Sequence, residues 1–187
     1  MMRRFFRWII QRIRVVKYRL LSTCSRVSGV YSAHQPVLFE GAGSIVFGKG
    51  VELGVKASPG FFSSYVYLEA RFPSSSIKIG DYTRINNGFS AVAFTTITIG
   101  TKVLIGADCS IIDTNGHALA PELRHENFEN GAAVTIEDNV FIGDRVTILK
   151  GVTIGANAVI GSGAVVTDAV PENTVVAGNP AKVVRCL

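Results

Sequence analysis

The sequence predicts a mainly β protein: a parallel β-helix with one basic amphipathic helix at its amino terminus and one loop standing out from the stack. Three observations carry that prediction. Ile136, Ile142, Ile148, Ile154, Ile160 and Val166 stand six residues apart without a slip, and the fourth residue after each (Val140, Val146, Val152, Ala158, Ala164, Val170) is small or β-branched. A helix repeats every 3.6 residues and a strand every two, so an unbroken period of six requires short strands wound as the sides of a prism. The period has one long interruption, over residues 113–131, and returns in frame at Ile136. The charge is also lopsided. Residues 1–39 carry eight Lys/Arg and no Asp or Glu, more than the net +5 of the whole chain, so the remainder is net negative.

In residues 1–21, Phe6, Ile9, Ile13, Val16 and Leu20 recur at steps of three and four, which is one face of a helix. Arg7, Arg12, Arg14, Lys17 and Arg19 break every apolar run, so the segment suits neither a membrane span nor a secretory signal. Two readings stay open. The helix lies on an anionic membrane surface, with Trp8 and the paired phenylalanines at headgroup level, or it packs on its own oligomer or shields the end of the stack. Confinement of the basic character to this terminus argues against a nucleic-acid-binding body. We therefore divide the chain into residues 1–29, helix and linker, and residues 30–187, the β-helix domain with its loop at 113–131.

Residues 22–40 show no strong period and lead into the first coils. Repeat character begins at Phe47-Gly48 and continues at Leu53-Gly54; between 58 and 76 the register loosens, with Phe61, Phe62, Tyr65 and Tyr67 expected on strands. From Ile79 the hexads run through Ile85 and Ala91, shift by two residues near 95–98, and resume at Ile99, Ile105 and Ile111. Residues 79–170 without the loop then make roughly four coils, stacked ~4.8 Å apart. Cys24, Cys109 and Cys186 form no C-x-x-C pair, and Cys109 falls at an inward hexad position. A buried thiol and a reducing, cytoplasmic setting follow. A long polar excursion from a strict repeat is a functional loop more readily than a stabilising one. His117 stands at its root and His125 further out.

These residues resemble a known family. The run Gly116-His117-Ala118-Leu119-Ala120-Pro121-Glu122-Leu123-Arg124 is similar to the catalytic loop of galactoside and maltose O-acetyltransferases. The ending Gly178-Asn179-Pro180-Ala181-Lys182-Val183-Val184-Arg185 resembles their terminal signature, and Asn139-Val140-Phe141-Ile142-Gly143 matches a coil that often carries Trp at the place of Phe141. With the basic amino terminus, the chain looks most like the O-antigen and capsule acetyltransferase branch of the hexapeptide-repeat acetyltransferases. The resemblance implies a left-handed β-helix, a homotrimer with sites between subunits, acetyl-CoA as acetyl donor, and a sugar or glycan acceptor.

It also implies site residues. An alcohol is a poor nucleophile at neutral pH, and an imidazole is suited to taking its proton; His117 is that base. Asp113 or Glu122, or a backbone carbonyl, would orient its ring. Asn86 matches the asparagine that contacts substrate, holding the acceptor hydroxyl or the thioester oxygen; as a bare residue it also suits a left-handed turn before Asn87-Gly88. Asp144, Ser162 and Thr167 match positions along the pantetheine groove, with Lys182 and Arg185 near the phosphates. Asp168 stands where relatives often carry Lys. Phe94 stands where galactoside-type enzymes carry an acidic substrate contact, so the acceptor need not be a galactoside. Three other readings remain: a sugar N-acetyltransferase, a non-enzymatic β-helical scaffold, and a γ-class carbonic anhydrase, which needs three converging metal-bound histidines. No metal is expected.

Overall fold

The computed structural model describes residues 2–125 and 131–187, so residues 126–130 of the interrupting loop lie outside the described residues. One α-helix, α1 (Met2–Leu21), precedes a parallel β-helix with three flat faces. Face one stacks the first half of Ser44–Leu53, then Ser76–Ile79, Thr96–Ile99, Val134–Ile136 and Thr153–Ile154. Face two stacks the second half of Ser44–Leu53, then Arg84–Ile85, Leu104–Ile105, Phe141–Ile142, Val159–Ile160 and Thr174–Gly178. Face three stacks Val37–Glu40, Val66–Ala70, Ser90–Ala93, Ser110–Ile112, Thr147–Ile148 and Val165–Val166. The irregular stretch after residue 22 holds a strand of its own, Val27–Ala33, which pairs with both halves of Ser44–Leu53 and so forms two sides of the first coil.

Three ladders of inward residues fill the bore. Phe47, Ile79, Ile99, Ile136, Ile154 and Val170 are partners in register on face one. Leu53, Ile85, Ile105, Ile142, Ile160 and Val176 do the same on face two. Every member of both is at most 5% exposed. The corners repeat as faithfully: Asn139, Arg145, Gly151, Asn157 and Gly163, six apart, all have positive φ. Glycine and asparagine tolerate that conformation better than arginine does. The three corner asparagines on one edge form a ladder, Asn139 Nδ2 donating to Asn157 Oδ1 (2.9 Å) and Asn157 Nδ2 to Asn173 Oδ1 (2.8 Å). Asp138 and Asp144 accept the amides of Thr101 and Ala107 from the coil below, each at 2.7 Å. A Cβ at Gly100 or Gly106 would collide with those carboxylates, which is why glycine follows the aliphatic residue.

One expectation fails at the looser register. Tyr67 lies on Val66–Ala70, but Phe61 and Phe62 sit in turns and Tyr65 precedes the strand. Residues 54–65 are instead a folded loop held by side chains. Buried Asn87 accepts the Val55 amide (3.0 Å) and donates to the carbonyls of Val55 (2.9 Å), Ser58 (3.2 Å) and Pro59 (2.9 Å). Buried Gln35 donates to Gly60 O and Ser64 Oγ and accepts the Gly88 amide. With local side-chain bonds on offer, the backbone leaves the ladder there.

Helix α1 packs on the first coil and on this loop. Gln11 Nε2 donates to His34 O (2.9 Å), Arg14 donates to Phe61 O (2.9 Å) and Ser64 O (2.5 Å), and the rings of Tyr18 and Tyr65 lie 4.6 Å apart. The predicted apolar stripe is turned the other way: Phe6, Ile13, Val16 and Leu20 are 55–80% exposed. Shielding of the stack by that stripe is therefore not what the fold uses; the polar and aromatic side does the docking.

Cys109 occupies its inward place at 2% exposure with Sγ 3.0 Å from Gly143 O, and burial pushes its thiol pKa up to about 11. Cys24 is also buried and Cys186 is exposed, all three unpaired. Titration of the native protein with a thiol-exchange reagent is expected to report one fast thiol, and three once the chain is unfolded. A second fast thiol in the native protein would contradict the packing of the bore.

Candidate active site

Where the hexads break, the chain leaves face three at one edge. Asp113 is fully buried there, and its carboxylate accepts the Phe94 amide through Oδ1 and the Thr95 amide and hydroxyl through Oδ2, each at 2.7 Å. Its main-chain oxygen accepts the amide of Ala132, also at 2.7 Å, so the two ends of the excursion are pinched together above residues 94–95. Beyond the pinch, Gly116 turns with positive φ and its amide donates to Thr114 Oγ1 (3.0 Å). A 3-10 turn, Pro121–Leu123, follows.

His117 lies exposed just before this turn, its Nδ1 bonded to the carbonyl of Arg124 at 3.0 Å. The Arg124 guanidinium itself donates to Leu119 O (3.0 Å), closing the loop on itself. A carbonyl accepts only, so the neutral ring carries its proton on Nδ1 and its lone pair on Nε2. Of the three ring partners the sequence allows, Asp113, Glu122 or a backbone carbonyl, it is a carbonyl that Nδ1 meets. Asp113 has both oxygens committed to residues 94 and 95, so it builds the loop rather than orienting the imidazole, and the Nδ1 bond goes to Arg124 O rather than to Glu122. The sequence signal for the structural role is that Asp113 follows the inward Ile111 by two, a buried position where a carboxylate needs several donors.

Asn86 lies at the other edge of face three, at the turn between Arg84–Ile85 and Ser90–Ala93. Its φ is not positive; Gly88 is the residue that takes the left-handed conformation. Asn86 Oδ1 accepts the amide of Asn87 (2.8 Å), and its backbone amide donates to Ile105 O (2.9 Å). Beside it opens a cleft of about 400 Å³ lined by Ser64, Tyr65, Tyr67, Phe89 and Asp108. Glu69 accepts from Tyr67 OH (2.8 Å) and pairs with Arg71 (2.8 Å), and burial with this bond pushes the Tyr67 pKa upward. Asn87, which belongs to no motif in the sequence, is the anchor of the loop on which Ser64 and Tyr65 stand.

The remaining predicted residues divide between the two edges. Asp144 and Ser162 continue the Asn86 edge upward, the Asp144 amide donating to Ser162 Oγ at 3.2 Å. Thr167 continues the His117 edge and donates to Asp168 (3.0 Å). Lys182 and Arg185 lie exposed on the terminal strand Ala181–Cys186, which folds back antiparallel on Thr174–Gly178. Lys182 pairs with Asp168 at 3.4 Å, a fully solvated contact that a stronger anion could displace. One chain thus does not bring Asn86 and His117 together. Residues 88–94 run between the two edges, ~20 Å of extended chain. Among the described residues no three His, Cys, Asp or Glu side chains are grouped to hold a metal.

The profile described as "Bacterial transferase hexapeptide (six repeats)" matches residues 133–168. WbbJ of Escherichia coli (strain K12), a candidate O-acetyl transferase of lipopolysaccharide biosynthesis, is 32% identical over 161 residues, covering 80% of this chain and 76% of its own. A galactoside O-acetyltransferase of Lactococcus lactis is 37% identical over 116 residues, covering 62% of this chain. The chain spans only 56% of the length of that relative. Among solved structures, a hexapeptide-repeat acetyltransferase of Vibrio cholerae complexed with acetyl coenzyme A superposes with TM-score 0.57 at 35% identity, covering 74% of this chain and 72% of that one.

The assignment of Asp113 to the pinch has a direct test. Asp113→Ala is expected to lower unfolding stability by roughly 2–4 kcal/mol, since three donors lose a charged acceptor, with Asp113→Asn falling between. Unchanged denaturation midpoints with a displaced pH optimum would return Asp113 to the role of ring partner.

Proposed function

The chain belongs to the hexapeptide-repeat acetyltransferase family, and from that premise we propose that it transfers an acetyl group from acetyl-CoA to a hydroxyl of a sugar in a surface glycan or its lipid-linked precursor. The observation that carries this reading is the imidazole of His117, presented on a clamped loop with Nδ1 held by a carbonyl. Nε2 takes the proton of the acceptor hydroxyl as its oxygen attacks the thioester carbonyl. The tetrahedral centre collapses, the C–S bond breaks, and the imidazolium returns the proton to the departing thiolate. No covalent enzyme intermediate is needed. Asn86, whose Oδ1 is already bonded within its own turn, would donate through Nδ2 to the acceptor oxygen or the thioester carbonyl. The names of the relatives, a lipopolysaccharide O-acetyl transferase and a galactoside O-acetyltransferase, support the sugar; Tyr65 and Tyr67 in the cleft beside Asn86 suit stacking on one.

Such a site needs two copies of the chain. The outward residues of face three above the second coil are Ser90, Val92, Ser110, Ile112, Thr147, Leu149 and Val165, with no charge among them. Face one turns Lys78 and Glu137 outward, and face two Glu52 and Arg84. A homotrimer with face three on its axis would set the Asn86 edge of one copy against the His117 edge of the next. Acetyl-CoA would then lie along the groove between them, past Asp144, Ser162 and Thr167, its phosphates near Lys182 and Arg185. Free cysteines and an acetyl-CoA donor favour a cytoplasmic setting.

Thiol release from acetyl-CoA with a panel of sugar acceptors tests the reading. His117→Ala is expected to reduce acceptor-dependent release by ~10²–10⁴-fold with acetyl-CoA binding retained. Full activity on amino sugars in that variant would favour amine transfer, because a free amine requires less help from a base. Failure of the wild type to bind acetyl-CoA would favour the scaffold. The assembly has its own check. Light scattering is expected to give three times the 20.0 kDa chain mass, and Ser110→Arg is expected to lower that mass and abolish release together.

A further inference from the structure

Helix α1 is fastened to the body by one side only. Gln11, Arg14 and Tyr18, spaced at three and four, make its hydrogen bonds and ring contact with His34, Phe61, Ser64 and Tyr65. At 100° per residue the opposite side is centred on Ile9, and the exposed apolar stripe, centred on Ile13, lies about 40° round from it. Phe6, Ile10, Ile13, Val16 and Leu20 lie along it, 51–80% exposed, with Trp8 nearer the docked side at 56%. Arg12 and Arg19 fall on one border of this stripe and Lys17 lies within it, while Arg7 lies on the docked side, over Phe62. Arg7 and Arg12 lie over aromatic rings, at 4.7 Å from Phe62 and 5.5 Å from Trp8, and among the described residues neither they, Lys17 nor Arg19 forms a salt bridge. The helix has no acidic residue. Among the described residues no helix is long and apolar enough to cross a membrane.

We propose that this outward face is an interfacial anchor that lays the amino-terminal helix on an anionic phospholipid surface. A stripe of large apolar side chains bordered by cations that no described acid neutralises is complementary to acyl chains beneath a layer of phosphates. A second copy of the same stripe is a poor occupant, because it would bring cations of both copies together without an acid between them. The partner that removes both the apolar exposure and the uncompensated charge is a lipid surface of negative charge. Docking through Gln11 and Arg14 holds the helix rigidly to the first coil, so an anchored chain would hold its stack and loop at a set height above that surface. The inference stands on the helix alone and does not need the transferase reading.

Co-sedimentation of the full chain with vesicles tests it, using phosphatidylcholine alone or with phosphatidylglycerol added. Binding is expected to the mixed vesicles and to fall with salt. The double substitution Phe6→Ser, Ile13→Ser is expected to lower partitioning at least tenfold, and Arg12→Gln, Arg19→Gln by about fivefold per cation. Both pairs are exposed, so thermal unfolding and oligomer mass should stay at wild-type values. Wild-type protein that remains in the supernatant with the charged vesicles would overturn the proposal. So would a serine variant whose oligomer mass changes, which would make another copy the occupant. Thiol release in the absence of vesicles is expected to be the same in all variants, which separates this inference from the transferase reading.

Discussion

A backbone whose side strands hydrogen-bond only to the coil above and the coil below sets the terms for everything else in this molecule. Each coil must retrace the path of its neighbour, or the ladder of amides and carbonyls is lost over a whole side. Identical paths bring like positions into line, so inward aliphatics stack on inward aliphatics from Phe47 to Val170 and from Leu53 to Val176. The same rule fixes the corners. Left-handed residues recur every six positions, and a carboxylate such as Asp144 can cap an amide of the coil below only because the residue beneath it is glycine.

Such a stack has no natural place for a catalytic side chain, because its inward residues are buried and its outward ones lie flat. The excursion after Ile112 supplies one, and it is compatible with the stack because its ends are brought back together. Asp113 does this by taking the place of the missing strand: its oxygens satisfy two amides of the coil below, and its carbonyl receives Ala132. A neutral asparagine offers one acceptor oxygen where two are used. The ladder can then resume at Val134 against Ile97 as though the loop were absent.

The hexads make the upper coils legible in the sequence, because a bore lined by single aliphatic residues leaves its period there directly. The lower part was less legible for a physical reason. There Asn87 and Gln35 hold the loop 54–65 with side-chain bonds, and such bonds carry no period. Phe61 and Phe62 look like strand residues by composition yet serve the seat of α1. His117 could be singled out as the proposed base from its motif, while the group bonded to its Nδ1 could not, since a backbone carbonyl seven residues away has no signature. The amphipathy of α1 was plain in its spacing. Which side docks was not, because the spacing of apolar residues says nothing of the three hydrogen bonds that Gln11 and Arg14 make to the body.

In the proposed role of His117, a carbonyl at Nδ1 bears on the kind of chemistry the loop can perform. A carboxylate partner both fixes the tautomer and stabilises the imidazolium; a carbonyl fixes the tautomer with far less stabilisation of the charge. The weaker partner suffices where the protonated ring need not persist. In transfer from a thioester, the leaving sulfur has the acidity of a thiol, near the cysteine value of about 8.5, so the tetrahedral centre expels it in preference to the alkoxide. The imidazolium meets a thiolate as soon as it forms, and the proton it holds is consumed in the same collapse. An amide donor would leave as a far stronger base and demand a longer-lived acid. With His117 as the proposed base, a carbonyl at Nδ1 therefore suits a thioester donor, whose leaving group needs no long-lived acid.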